Sequence, residues 1–239
     1  IAEAIGARDI RFQAEMGGSN VVVVLADAEL GAAVDAVVTH GFACAGQWCT
    51  GTTRVVVEAA VYAEIRHELV ERVRMIGVGR DAKIGAMISQ AHLQRVVDSV
   101  DGLRAAGSGV VIGGHRVADE PHGYFFEPTV LEAPGDAQFE EIFGPVIVLQ
   151  QADNAADALR IANDSDYGLS FSVFSQDEQV AEEIVAGADA ALCHINLGTG
   201  YRDSLLPLTG RKASARGLPE CGTWARDFFT QPKSIYRAS

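Results

Sequence analysis

Asn20-Val21-Val22-Val23-Val24-Leu25 is an unbroken apolar run opened by one amide side chain. A strand with one wet face alternates apolar and polar residues. A run apolar at every position suits a strand covered on both faces, as in a parallel sheet. Working outward, Asp27 reads as a helix N-cap, and Leu30, Ala33, Val34, Val37 and Val38 follow at helical spacing until the pattern runs out near Gly46. Thr52–Glu58, with Arg54-Val55-Val56-Val57 at its centre, supplies the next strand. Val61–Met75 is an amphipathic helix with Ile65, Leu69 and Val73 on one face.

The same alternation continues. Ser89 caps a helix through Ala106, and Val110–Ile112 is a short strand. His115–Gly123 is a polar loop, and Tyr124–Leu131 and Val146–Leu149 are strands. Asn154–Asn163 is helical, Leu169–Phe174 a strand, Asp177–Ala186 a helix and Ala190–Asn196 a strand. Before the opening run, Ile1–Ala7 reads as the end of a helix, and the chain turns at Asp9 into a strand at Ile10–Ala14. After it, Gly198–Cys221 is irregular and Phe228–Tyr236 is extended and β-prone. The expectation is an α/β domain of three layers with a mostly parallel sheet. No internal repeat or low-complexity linker is visible.

Composition narrows the function. With 48% hydrophobic and 21% charged residues, the 239-residue chain can bury a sizeable core. A net charge of -13 disfavours nucleic acid and anionic membrane as partners, which need clustered Lys and Arg. No apolar stretch approaches the roughly 20 residues that cross a bilayer, and with nothing in the sequence marking secretion, a non-secreted chain is the expectation. Four cysteines, Cys44, Cys49, Cys193 and Cys221, make neither a disulfide framework nor zinc-ligand spacing; reduced thiols in a cytoplasm are the expectation, with no metal.

Two segments flanking the apolar run carry chemistry. Gly46-Gln47-Trp48-Cys49-Thr50 places a cysteine between a helix and a strand, an edge where sites on α/β sheets are built. Cys49 is a candidate nucleophile, although most buried cysteines are inert small hydrophobes. Glu15-Met16-Gly17-Gly18 puts a carboxylate before two glycines, a candidate base on a mobile side chain; a solvated strand-end Glu is the plainer reading. Downstream, Glu140-Glu141-Ile142-Phe143-Gly144-Pro145 reads by itself as a tight turn with Phe143 in the core. Trp48 is pocket wall or core.

Together these three segments resemble the aldehyde dehydrogenase superfamily, with Glu15 standing 34 positions (49 minus 15) before Cys49, as the family's pair does. The resemblance implies that Cys49 adds to an aldehyde and Glu15 activates the water that hydrolyses the thioester. It implies NAD or NADP as cofactor, with the Glu141 carboxylate on the nicotinamide ribose and Phe143 beside the ring. Family members that pass the acyl group to coenzyme A lack that glutamate, so a free acid is the expected product. Asn196, at a strand end, is expected to support the local backbone. Gln47, Trp48 and Thr199 are expected at the substrate pocket or its support. Gly198, Gly200 and Asp203 also lie where the pocket would be shaped. Gly17-Gly18 and Gly113-Gly114 match no phosphate-binding motif.

Finer features, Asn196-Leu197-Gly198-Thr199-Gly200 through Gly210-Arg211-Lys212, then Trp224–Thr230 with Lys233 and Tyr236, resemble the α-ketoglutaric semialdehyde dehydrogenase branch. Met16, where many relatives have Leu, points the same way. A short semialdehyde carrying a carboxylate is the expected substrate. The resemblance covers only the C-terminal half of the family's usual length. The expected domains are 1–18, a remnant of a Rossmann-like cofactor domain otherwise largely absent; 19–225, the catalytic domain; and 226–239, a strand for homo-oligomerisation as dimer or tetramer. The absent half would hold the Gly-rich dinucleotide loop and the oxyanion-hole asparagine, so the backbone N–H of Cys49 is the oxyanion donor left, and a chain of this extent is expected to be a poor dehydrogenase alone. Local departures stand at Pro207-Leu208-Thr209-Gly210-Arg211-Lys212, at Ser19 and in the short segment Val78–Ser89. The other readings are a thiol esterase using the same Cys49 and Glu15, and a non-catalytic assembly domain of the same fold.

Overall fold

Val21–Val24 is a strand with every residue fully covered. Val22 and Val24 face one apolar cluster, Val21 and Val23 another on the opposite side. This is the two-faced burial that an all-apolar strand requires. In the computed structural model, residues 2–6, 10–80, 82–117, 123–137 and 140–238 are described.

In chain order the elements are α1 (Ala2–Ile5), β1 (Gln13–Glu15), β2 (Val21–Val24), α2 (Leu30–Phe42), β3 (Arg54–Glu58), α3 (Tyr62–Arg74) and α4 (Gln90–Ala105). Next come β4 (Gly109–Ile112), β5 (Thr129–Ala133), β6 (Val146–Ala152), α5 (Ala155–Asn163), β7 (Tyr167–Gly168) and β8 (Ser170–Phe174). The last are α6 (Glu178–Gly187), β9 (Leu192–Ile195), β10 (Arg211–Lys212), β11 (Ala215–Gly217) and α7 (Gly222–Phe229). A seven-stranded sheet runs β4-β5-β6-β3-β2-β8-β9, parallel throughout except for the antiparallel edge pair β4–β5. Buried residues of α2, α3 and α4 pack with one face, those of α5 and α6 with the other, giving three layers.

Several local expectations are corrected. Asp27 does not cap α2; Glu29 does, accepting from the Ala32 N–H at 2.6 Å. Asp27 instead accepts from Ser175 Oγ and from the N–H groups of Gln176 and Asp177, all at 2.9 Å, which ties the ends of β2 and β8 together. The first strand is Gln13–Glu15 rather than Ile10–Ala14, because its partner β11 pairs only there. Of the expected strand Tyr124–Leu131, only Thr129 onward enters the sheet; Phe126 makes an isolated bridge to Arg116. The 198–221 stretch, read as irregular, contains β10 and β11. Phe228 and Phe229 end a helix, and residues 230–238 follow it exposed and without regular structure. Ile1, Ala7, the turn at Asp9 and residues 118–122 of the polar loop lie outside the described residues.

Candidate active site

Between α2 and β3 the backbone passes through three consecutive left-handed residues, Cys44 (φ 53°), Ala45 (φ 56°) and Gly46 (φ 69°). Non-glycine residues pay about 1–2 kcal/mol each for that conformation, so the path must be imposed by what surrounds it. Gly46 shows how. A Cβ there would stand 1.9 Å from the Gly144 carbonyl oxygen, so the loop before Cys49 is pressed on the Glu141–Pro145 loop as only glycine allows. Gln47 pins the turn, accepting from the Ile88 N–H at 2.9 Å while its Nε2 donates to the carbonyls of Cys44 (3.1 Å) and Ala86 (3.4 Å). Asn20, buried at the mouth of β2, donates from Nδ2 to the carbonyls of Cys49 and Gly51, both at 2.8 Å, and accepts from Ser170 N–H at 3.0 Å. Asn20 therefore fixes the backbone of Cys49 to the sheet.

Glu15 ends β1, opposite Ala215 of β11, and the adjoining Met16 N–H donates to Ser214 O at 2.9 Å. A segment some 200 residues downstream thus positions it. Its Oε1 is buried and has no hydrogen-bond partner among the described residues. Burial pushes the Glu15 carboxyl above the usual range; Arg202 opposes this, and Glu220 and Glu141 reinforce it. A carboxylate so raised is a better base.

Glu141 folds against the glycines that follow Glu15. Its Oε1 accepts from the Gly18 N–H at 3.1 Å, and a Cβ on Gly17 would lie 1.7 Å from its Oε2. Burial raises the Glu141 carboxyl, with the Gly18 N–H opposing. Phe143 adopts φ 54°; its carbonyl is 2.8 Å from His92 Nε2 and its ring meets the His92 ring edge-on at 6.1 Å, so α4 holds this loop. An open groove of about 600 Å³ runs beside His92, Arg95, Glu140, Glu141 and Phe143.

Cys49 is half-buried. Burial pushes its thiol up, and Glu15 adds to this. Arg202 opposes, with Nη2 at 3.4 Å from Sγ, as does the Thr50 N–H. Of the remaining expected residues, Trp48 is partly buried, with its ring 5.8 Å from that of His40 and packed on Gly200. Thr199 is fully buried, its Oγ1 2.8 Å from Thr52 Oγ1, which places it beneath the loop rather than in a pocket. Asn196 bonds both the N–H (3.0 Å) and the carbonyl (2.9 Å) of Ser175. Among the described residues no cluster of His, Cys, Asp and Glu is arranged to hold a metal.

Sequence reasoning missed Asn20 and Arg202. The signal for Asn20 was a lone amide opening an otherwise apolar buried strand, where it must find partners. Arg202 carries no local signal, since only the fold brings the loop after β9 to Cys49.

The sequence model described as "Aldehyde dehydrogenase family" matches residues 1–235. The chain is 34% identical over 245 residues to the alpha-ketoglutaric semialdehyde dehydrogenase of Bacillus subtilis, covering 99% of this chain and 50% of that protein. An NAD-dependent aldehyde dehydrogenase from Sinorhizobium meliloti superposes with a TM-score of 0.90 at 32% identity, over 96% of this chain and 46% of that one. A betaine aldehyde dehydrogenase from Staphylococcus aureus, solved in complex with NAD+, superposes with a TM-score of 0.84 at 31% identity, over 88% and 43% of the respective chains. The chain spans about half the length of the curated relatives it matches.

Proposed function

Because the chain belongs to the aldehyde dehydrogenase family, we propose that it carries the thiol and the base of an NAD(P)-dependent oxidation of an aldehyde to a carboxylic acid. One observation supports this most. Cys49, Glu15 and Glu141 come from three separate segments, and two glycines meet the 141–145 segment closely: Gly46, where a Cβ would strike the Gly144 backbone, and Gly17, where it would strike the Glu141 carboxylate.

The nicotinamide end of the cofactor fits the residues present. Glu141 offers a carboxylate acceptor for ribose hydroxyls, Phe143 an aromatic neighbour, and Glu15 Oε1 is a buried acceptor still without a partner. A bound NAD(P)+ would supply the hydride acceptor for the aldehyde carbon. The chain's own residues do the rest. Cys49 Sγ adds to the aldehyde carbon, and its N–H donates to the oxygen that becomes negative. After oxidation, Glu15 takes a proton from water as that water attacks the thioester carbonyl. The C–S bond then breaks, the acid leaves and Cys49 is restored. Water alone attacks such a thioester slowly, and a placed base contributes about 10²–10⁴-fold.

The substrate we propose is a short semialdehyde carrying a carboxylate, in keeping with the relatives' names. Residues 1–18 are read as the margin of a cofactor domain, and residues 226–239 as a segment that pairs with a neighbouring subunit in a homo-oligomer. Asn196 and Thr199 act as support, Gln47 as a brace and Trp48 as a wall behind Cys49. The test follows NAD(P)H absorbance with a panel of aldehydes, α-ketoglutaric semialdehyde among them, in a protein that joins this chain to a cofactor domain. Cofactor reduction that Cys49→Ala abolishes is the expected outcome; reduction that persists in Cys49→Ala overturns the proposal.

A further inference from the structure

Arg202 is the charged residue of the site that the mechanism above leaves without a task. It lies in the loop after β9, 153 residues from Cys49, and its Nη2 stands 3.4 Å from Cys49 Sγ and 3.4 Å from Thr50 Oγ1. A guanidinium stays protonated throughout the pH range in which a protein is folded, so this positive charge is permanent. Sulfur needs it. The thiolate, not the thiol, is the nucleophile, and a half-buried sulfur beside a carboxylate is a poor place for a second negative charge. The charged groups acting on Cys49 are Glu15, which disfavours the thiolate, and Arg202, which favours it. Arg202 also acts on Glu15, so one guanidinium faces both reacting groups.

We infer that Arg202 is a catalytic residue that favours the thiolate form of Cys49, its guanidinium serving as counter-ion to the nucleophilic sulfur as it ionises. The inference rests on Cys49 being the nucleophile and on nothing else in the proposed reaction.

The test is alkylation of this chain by iodoacetamide from about pH 6 to about pH 10, with peptide mass spectrometry separating Cys49 from Cys44, Cys193 and Cys221. Loss of an exposed cation at this separation moves the midpoint of the Cys49 profile up by about one pH unit in Arg202→Met. The thiolate fraction near pH 7 then falls about 10-fold, while the more basic thiolate is about 3-fold more nucleophilic. The expected result is therefore a change of profile shape: Arg202→Met is about 3-fold slower near pH 7, and its deficit closes as pH rises toward about 10 and its thiol ionises. Arg202→Lys keeps most of the wild-type profile, and about 1 M salt narrows the gap, because the guanidinium is exposed. Superposed profiles overturn the inference. So does slowing by one common factor at every pH, which would make Arg202 a spacer that shapes the loop. The assay contains neither aldehyde nor nicotinamide, so its failure is distinct from failure of the dehydrogenase reading.

Discussion

At the scale of single residues, the site sets together two raised carboxyls and a raised thiol, and one guanidinium acts on Glu15 and Cys49. The cost of this arrangement is measurable at Glu15. Its folded-state carboxyl titrates above its unfolded value, so between those two points the folded chain holds more protons than the unfolded one. Stability therefore falls as pH rises through that window, and the ionised carboxylate costs stability at neutral pH. Glu15→Gln is expected to raise the urea midpoint near pH 7 and to leave it unchanged below about pH 4, where both side chains are neutral. An equal shift at both pH values would mean that packing rather than charge sets the effect. The residues proposed to carry chemistry stood out in the sequence because their types and spacing are distinctive. Asn20 and Arg202 were not, since their roles exist only across strand ends and between loops far apart in the chain.

At the scale of elements, glycines join the loops. Gly46 and Gly17 both meet the 141–145 segment, but in different ways. A Cβ at Gly46 strikes backbone, the Gly144 carbonyl, at a positive φ; a Cβ at Gly17 strikes only the end of the Glu141 side chain, which can swing aside. Gly46→Ala should therefore cost about 3 kcal/mol in urea unfolding. Gly17→Ala should leave stability within about 1 kcal/mol of wild type while weakening nicotinamide binding, read as a raised KM for NAD(P)+ in the longer protein. The reverse ranking in the unfolding experiment would contradict this view of the loops. Most strands and helices could be read from periodicity, because burial on both sheet faces leaves a strong apolar signature in β2, β3 and β6. The misreadings have local causes. Glu29 took the cap from Asp27 because Asp27 is occupied at the β8 end, and Phe228 and Phe229, β-prone by type, were drawn into α7. β1 and β11 are three residues each and stabilise only one another, so nothing in either sequence alone announces them.

At the scale of the whole molecule, β9 closes one edge of the sheet, and a groove of about 770 Å³ beside it is lined by Leu192, His194, Leu197, Tyr201 and Leu206. The 230–238 segment carries exposed apolar side chains, Ile235 at 71% and Tyr236 at 92% of full exposure, that nothing in the chain covers among the described residues. Exposed edges and apolar segments of this kind are sites of pairing with another chain. Under the proposed assembly, a protein lacking residues 230–239 should sediment as a smaller species than the intact one at the same concentration, with Cys49 alkylation unchanged. An identical distribution of species would remove the segment from the interface. The parallel sheet order was within reach of sequence reasoning as a class, whereas which edge stays open depends on strand order, and single-strand patterns do not encode that.

The central claim is that Cys49 forms an acyl intermediate which Glu15 then clears, and p-nitrophenyl acetate tests it on this chain without any cofactor. Nitrophenolate release would be followed for wild type and Glu15→Gln, and the acetyl group located by peptide mass spectrometry. The prediction is repeated turnover by wild type, and a single equivalent released by Glu15→Gln with the acetyl group retained on Cys49. Equal turnover by both proteins, or acetyl found on Cys44, Cys193 or Cys221 instead of Cys49, would contradict it.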